Sequence, residues 1–208
     1  MCRAVRTVAA VLVFMFGTLA HGALVQFGFQ GSVTDDAING CGVVVACGTV
    51  SGTYSFDSTA ADGNSSSSVG LYSHVGIDFA IDGTSFFSAS GGVINVENGA
   101  AEDFYGVLST GAAGNGSTAE LSISLRDLTA LAFGSDALIL SPAALLPLLP
   151  GGFTLNATDD TFQLLGTITS ISCASGCGGG EAPEPGTLSL LLAALAGVGL
   201  RRRASGGS

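Results

Sequence analysis

Few side chains in this 208-residue chain are equipped for chemistry. Apart from His21, the only histidine is His74, which sits on the polar side of an alternating run whose apolar side holds Val75, Ile77, Phe79 and Ile81. A serine triad would need that imidazole, a serine to attack and a carboxylate to orient the ring. No Gly-x-Ser-x-Gly elbow marks any serine as the nucleophile. Neighbouring acids stand at Asp35-Asp36, Glu102-Asp103 and Asp159-Asp160. Such pairs could supply a glycosidase acid and base, or the hard oxygens of a calcium site. Adjacent carboxylates are also ordinary turn formers, and the oxygen-rich stretch 57–64 lacks the alternating ligands and final glutamate of a calcium loop. The expectation is therefore a protein that is not an enzyme, with no catalytic residue, no metal ligand and no cofactor. Calcium is the one cation that the acidic turns leave open.

Past Cys2, the cysteines fall into two local pairs, Cys41 with Cys47 and Cys173 with Cys177. An even number outside the cytoplasm points to disulfides, and of the three connectivities the two local ones are the simplest. Zinc fits poorly, because these spacings are wider than the tight pairs of a zinc ribbon. Cys177 also opens a glycine tether, "CGGGEAPEP", where another chain could reach it. Asn64, Asn115 and Asn156 each begin an Asn-x-Ser/Thr triplet, the N-glycosylation acceptor pattern, which solvated turns also produce. Tyr54, Tyr72 and Tyr105 are the aromatic platforms open to a carbohydrate-binding module, although tryptophan, the usual stacking residue, is absent.

Charge narrows the partners. Residues 23–182 hold 15 of the 16 carboxylates and a single cation, Arg126, and the chain has no lysine. Nucleic acids and anionic membrane surfaces require clustered Lys and Arg, so neither is an expected partner.

Both ends carry apolar runs. Residues 1–22 read as a signal peptide, with Arg3 and Arg6 before the apolar stretch 8–16 and small residues that suit cleavage after Ala20 or Gly22. The other end reads "APEPGTLSLLLAALAGVGLRRRASGGS". As a helix, residues 188–200 would reach roughly 20 Å, short of a hydrocarbon core of about 30 Å. The arginines that follow place its far end in the cytoplasm, leaving the body outside. Two prolines around Glu184 deny the backbone its donors and its helical conformation, so the triplet stays extended, as a protease substrate must be.

In order and chemistry these residues resemble the PEP-CTERM sorting signal of exported bacterial proteins. Its three parts are present as Pro183, Glu184 and Pro185, the apolar segment 188–200, and Arg201, Arg202 and Arg203. The resemblance covers about 25 residues. It implies recognition by an exosortase, cutting near the triplet, transient residence in the inner membrane, and delivery to the cell surface or an exopolysaccharide matrix.

The elements that must carry these residues are strands. Apolar and polar residues alternate over 25–33, 50–56, 75–81 and 121–125, with shorter runs at 85–88, 93–97 and 103–109. A closing pair, 153–158 and 162–172, forms a hairpin across Asp159-Asp160. Asp62-Gly63-Asn64, Asp82-Gly83, Gly91-Gly92 and Asn98-Gly99 separate the runs. About nine strands predict an all-β fold, an antiparallel β-sandwich with a jelly roll among its topologies, whose first and last strands are neighbours. The proline-broken stretch 136–152 is a covering loop, in which Leu145, Leu146, Leu148 and Leu149 close an open end of the domain or, alternatively, form an exposed contact patch. The order is thus signal peptide (1–22), β domain (23–172), glycine-rich linker (173–182) and sorting signal (183–208), with helices only in the two targeting ends. The body is expected to be structural or adhesive; a carbohydrate-binding module and an extracellular hydrolase are the alternatives.

Overall fold

A computed structural model describes residues 22–36 and 48–177. Residues 1–21, Cys41 and Cys47, and the sorting residues Pro183, Glu184, Pro185, Arg201, Arg202 and Arg203 lie outside the described residues.

Each alternating run forms a strand. In chain order these are β1 (Leu24–Asp36), β2 (Thr49–Asp57), β3 (Val69–Ile81), β4 (Thr84–Ala89), β5 (Gly92–Asn98), β6 (Asp103–Ala113), β7 (Thr118–Asp127), β8 (Gly151–Ala157) and β9 (Gln163–Ser175). The expected hairpin across Asp159-Asp160 joins β8 to β9, and the expected neighbours β1 and β9 pair antiparallel along most of their lengths.

That last pairing overturns the sandwich. β1 is bonded to β2 on one side and β9 on the other, and the sheet continues through β3, β5, β6, β7 and β8 back to β9. The result is a closed, antiparallel, up-and-down barrel of eight strands, with β4 as an extra strand. β4 and β5 share one lane between β3 and β6, and their register on β3 runs from Ile77↔Ala89 to His74↔Gly92 without a slip. Period-two alternation is common to sandwiches and barrels, so the pattern alone cannot separate them. Closure is favoured by bulges, which bend a strand and increase its twist. The β1–β9 seam carries three such register shifts, at Gln26/Phe27, Gln30/Gly31 and Val33/Asp35.

Eight strands enclose a lumen that side chains can fill. Here Phe27, Phe29, Tyr54, Phe56, Phe79 and Phe153 occupy it, some meeting edge to face, as between Phe27 and Phe56 at 5.3 Å and between Phe79 and Phe153 at 5.1 Å, and others tilted or stacked. Burial of each such side chain contributes roughly 1.5–3 kcal/mol. The outward positions are largely hydroxyls and amides, among them Gln26, Gln30, Ser51, Thr53 and Ser55. This polarity is the inverse of a lipid-embedded barrel, which turns its apolar residues outward. No helix among the described residues is long and apolar enough to cross a membrane.

The stretch between β7 and β8 is the covering element expected from its prolines. It contains a 3-10 helix, Pro142–Leu148, which buries Leu145 and Leu148 in the core and leaves Leu146 exposed. It packs against β7 and β9, over the mouth where β7 ends and β8 begins.

Candidate functional site

The structure gathers chemistry-bearing side chains most closely at His74, though not as the alternation predicts. Between β2 and β3 the register slips, so that Ser55 faces Gly76 while Phe56 faces His74. Val75 is the extra residue of this bulge and is 56 % exposed, whereas His74 turns inward and is 4 % exposed. Strict alternation put His74 outside and Val75 inside; one inserted residue reverses both.

The imidazole meets a partner that the sequence did not single out. Ser109 on β6, also buried, places its Oγ 2.6 Å from His74 Nε2, and the Leu108 carbonyl lies 3.3 Å from the same nitrogen. Gly92 makes room for this contact: a Cβ there would overlap His74 Nε2, Ser109 Oγ and the Leu108 carbonyl. His74 Nδ1 is buried with no hydrogen-bond partner. Burial holds the ring below the usual histidine value, partly offset by the Leu108 and Gly76 carbonyls. A serine–histidine contact is thus present, but the nitrogen that a triad carboxylate would orient has no partner.

The acidic residues are engaged elsewhere. In the pair Glu102-Asp103, Glu102 is bonded to Arg126 at 3.2 Å on the surface, while Asp103 is buried and accepts the Phe133 N–H at 2.9 Å. One carboxylate is on the surface and the other inside the barrel, so these two do not flank one substrate atom. At three turns an aspartate takes the hydroxyl and the N–H of a threonine two residues on: Asp57 with Thr59, Asp127 with Thr129, and Asp159 with Thr161. The Thr129 and Thr161 hydroxyls hold Asp127 and Asp159 below the usual carboxylate range. Asp62 is lowered chiefly by the Leu71 N–H and then by that of Asn64. The stretch 57–64 therefore spends its oxygens on its own turn and on the N–H groups of Ser66, Leu71 and Ala23. Among the described residues no group of three or more His, Cys, Asp or Glu side chains could hold a metal ion.

The tyrosines are not platforms. Tyr54 and Tyr105 lie fully inside the barrel with their hydroxyls 2.9 Å apart, and Tyr72 is buried and donates to the Asp136 carbonyl at 2.9 Å. All three face the core side of their strands, which leaves no ring free to stack on a sugar. Among the described residues, Phe104 on the outer wall is one half-buried aromatic that reaches the surface. Arg126 sits 5.3 Å above its ring, beside a shallow groove of about 310 Å³ lined by Leu71, Val93, Asn95, Leu108 and Ser122.

At the rim where the described chain ends, Cys173 and Cys177 form the expected disulfide, with Cα atoms 5.6 Å apart. Gly176 between them has φ 69°, a left-handed conformation that glycine adopts without penalty and that folds Cys177 back towards the strand. β1 starts beside this bridge, since Gln26 pairs with Ser175 and Phe27 with Cys173. Asn64 and Asn115 occupy exposed turns and bond their own Ser66 and Ser117, whereas Asn156 lies within β8. Compared with known proteins, the chain matches no family model, no curated protein and no solved structure.

Proposed function

We propose that this chain is an exported protein sorted by a PEP-CTERM-like signal and processed by an exosortase, with the barrel as a structural or adhesive body at the cell surface or in an exopolysaccharide matrix. The observation that carries the proposal is the ordered triple of Pro183-Glu184-Pro185, the short apolar segment 188–200, and Arg201, Arg202 and Arg203. Each part has a physical role: an extended cutting site, a marginal membrane span and a cytoplasmic stop.

Features of the barrel support the proposal. Its first and last strands begin and end at one rim, so the segment entering the domain and the tether leaving it emerge together. That arrangement lets the body stand off a membrane on a single stalk. The Cys173–Cys177 bridge suits an oxidising compartment, and the body's acidic, lysine-free composition suits export. A filled lumen and polar outer wall suit a body that binds or spaces rather than one that encloses a substrate.

The test replaces Pro183 and Glu184 by alanine in the native host and follows the exported chain by mass spectrometry. The expected result is a chain that keeps its C-terminal segment and stays with the membrane fraction. Processing identical to that of the unmodified chain would reject the sorting role.

A further inference from the structure

We propose that His74 is a proton-triggered latch in the barrel wall: when its buried ring takes up a second proton, the seam between β4 and β5 opens locally while the rest of the barrel stays closed.

Two features meet at this residue. The first is a buried ring whose charged form has backbone carbonyls near it but no counter-charge. Its Nε2 has Ser109 Oγ and the Leu108 carbonyl within reach, but its Nδ1 is buried without a partner. In the neutral form with the proton on Nε2, the bare Nδ1 is merely an idle acceptor. Protonation puts a donor and a full charge there, and a buried charge without a partner is far costlier than an idle acceptor.

No carboxylate stands ready to compensate. On β2, Asp57 next to the facing Phe56 accepts from Thr59; on β3, Asp78 lies on the outward side beyond the bulge. On β5, Glu97 accepts from Asn95, and on β6, Asp103 accepts from Phe133 at the far end of the strand. Tyr72, two residues before His74, is bonded to the Asp136 carbonyl. The ring's affinity for protons is accordingly set by burial first and by two backbone carbonyls second.

The second feature is a break in the wall beside the ring. β6 pairs with β5 only as far as Leu108 and with β4 only at Ala112 and Ala113. Ser109, Thr110 and Gly111 thus lie opposite the break at Ser90-Gly91 with ladder pairs to β7 alone. On the other side of His74, the Val75 bulge interrupts the β2–β3 ladder. Few cross-strand bonds would have to break for the ring to reach water, which is the condition for opening below the cost of global unfolding.

The sign follows from linkage. A histidine held below its ordinary value stabilises the closed seam above about pH 6.5, and this stability is lost as pH falls through the lowered value. Between those two values the open population grows about tenfold per pH unit.

The test measures amide protection in the full chain between about pH 7.5 and 4.5, a range that brackets the ordinary histidine value. Rates are corrected for the intrinsic pH dependence of exchange. Between the ordinary and the lowered histidine values, amides of residues 90–94 and those of 107–111 directed at β5 should lose protection by about tenfold per pH unit while those of β1 and β9 keep theirs, and the loss should level off where the His74 ring titration seen by NMR sets in. In His74→Gln, which keeps His21 and every carboxylate, the acid loss at the seam should vanish. Should this variant fail to fold, a seam opening in the unmodified chain that grows below about pH 6.5 and levels off at the ring titration still decides, and growth that ignores the ring titration rejects the latch. Seam protection that is constant with pH, opening that involves all strands at once, or an unchanged acid loss in His74→Gln would overturn the latch.

Discussion

Two hydroxyls meet inside a hydrocarbon core, where Tyr54 and Tyr105 share one hydrogen bond of 2.9 Å and no water is needed to satisfy them. Replacing Tyr54 by Phe strands the Tyr105 hydroxyl and should cost about 1–3 kcal/mol in urea unfolding. Replacing both should recover part of that loss, because no polar group is then left buried alone. Burial raises both groups above the ordinary tyrosine value, assisted in Tyr54 by its neighbour. Their contribution to stability is therefore intact below about pH 10 and lost as pH rises through the higher folded values. Tyrosinate absorbance from this pair should appear together with unfolding; its appearance in a still-folded barrel would contradict the burial. The alternation already set Tyr54 on one face with Val50 and Phe56, so its burial could be read from the sequence, and the platform role was at odds with that pattern. His74 was not readable in the same way, because a bulge leaves no mark in the spacing. Nor was Ser109, one hydroxyl in a serine-rich chain, which only the register of β3, β5 and β6 brings to the ring.

At the scale of elements, the strands were the readable part and the caps followed from their prolines and aspartates. Asp57, Asp127 and Asp159 each fasten a turn to a threonine two residues on, which explains why acids recur there without forming an ion site. The 3-10 helix illustrates how four similar leucines separate into different roles. Leu145 is wholly buried and Leu146 is 54 % exposed. Leu145→Ala should cost about 2–5 kcal/mol and Leu146→Ala no more than about 0.5 kcal/mol, compared by thermal or denaturant unfolding. Equal effects would mean that this segment does not plug the barrel mouth. Its proline-broken sequence announced a covering role, but which leucines point inward depends on how the loop crosses the mouth.

At the scale of the molecule, all-β character, nine strands and the adjacency of the first and last strands were available from pattern and turn chemistry. Closure was not, because each hairpin looks the same whether the sheet curls into a barrel or folds over as two layers. The difference lies in the long-range β1–β9 register and its bulges. Closure pairs the barrel strands on both sides apart from the short gap opposite Ser90-Gly91, which limits edge-to-edge pairing with other chains. It also brings the two ends of the domain to one rim, where the Cys173–Cys177 bridge marks the exit towards the tether.

The most direct test of this account is the intact mass of the exported protein from its native host, measured before and after reduction. The account predicts a chain that starts just after Ala20 or Gly22, ends near Pro183-Glu184-Pro185, and gains four hydrogens on reduction, two for the Cys173–Cys177 bridge and two for the expected Cys41–Cys47 bridge. A mature mass that still includes Arg201, Arg202 and Arg203 would contradict it.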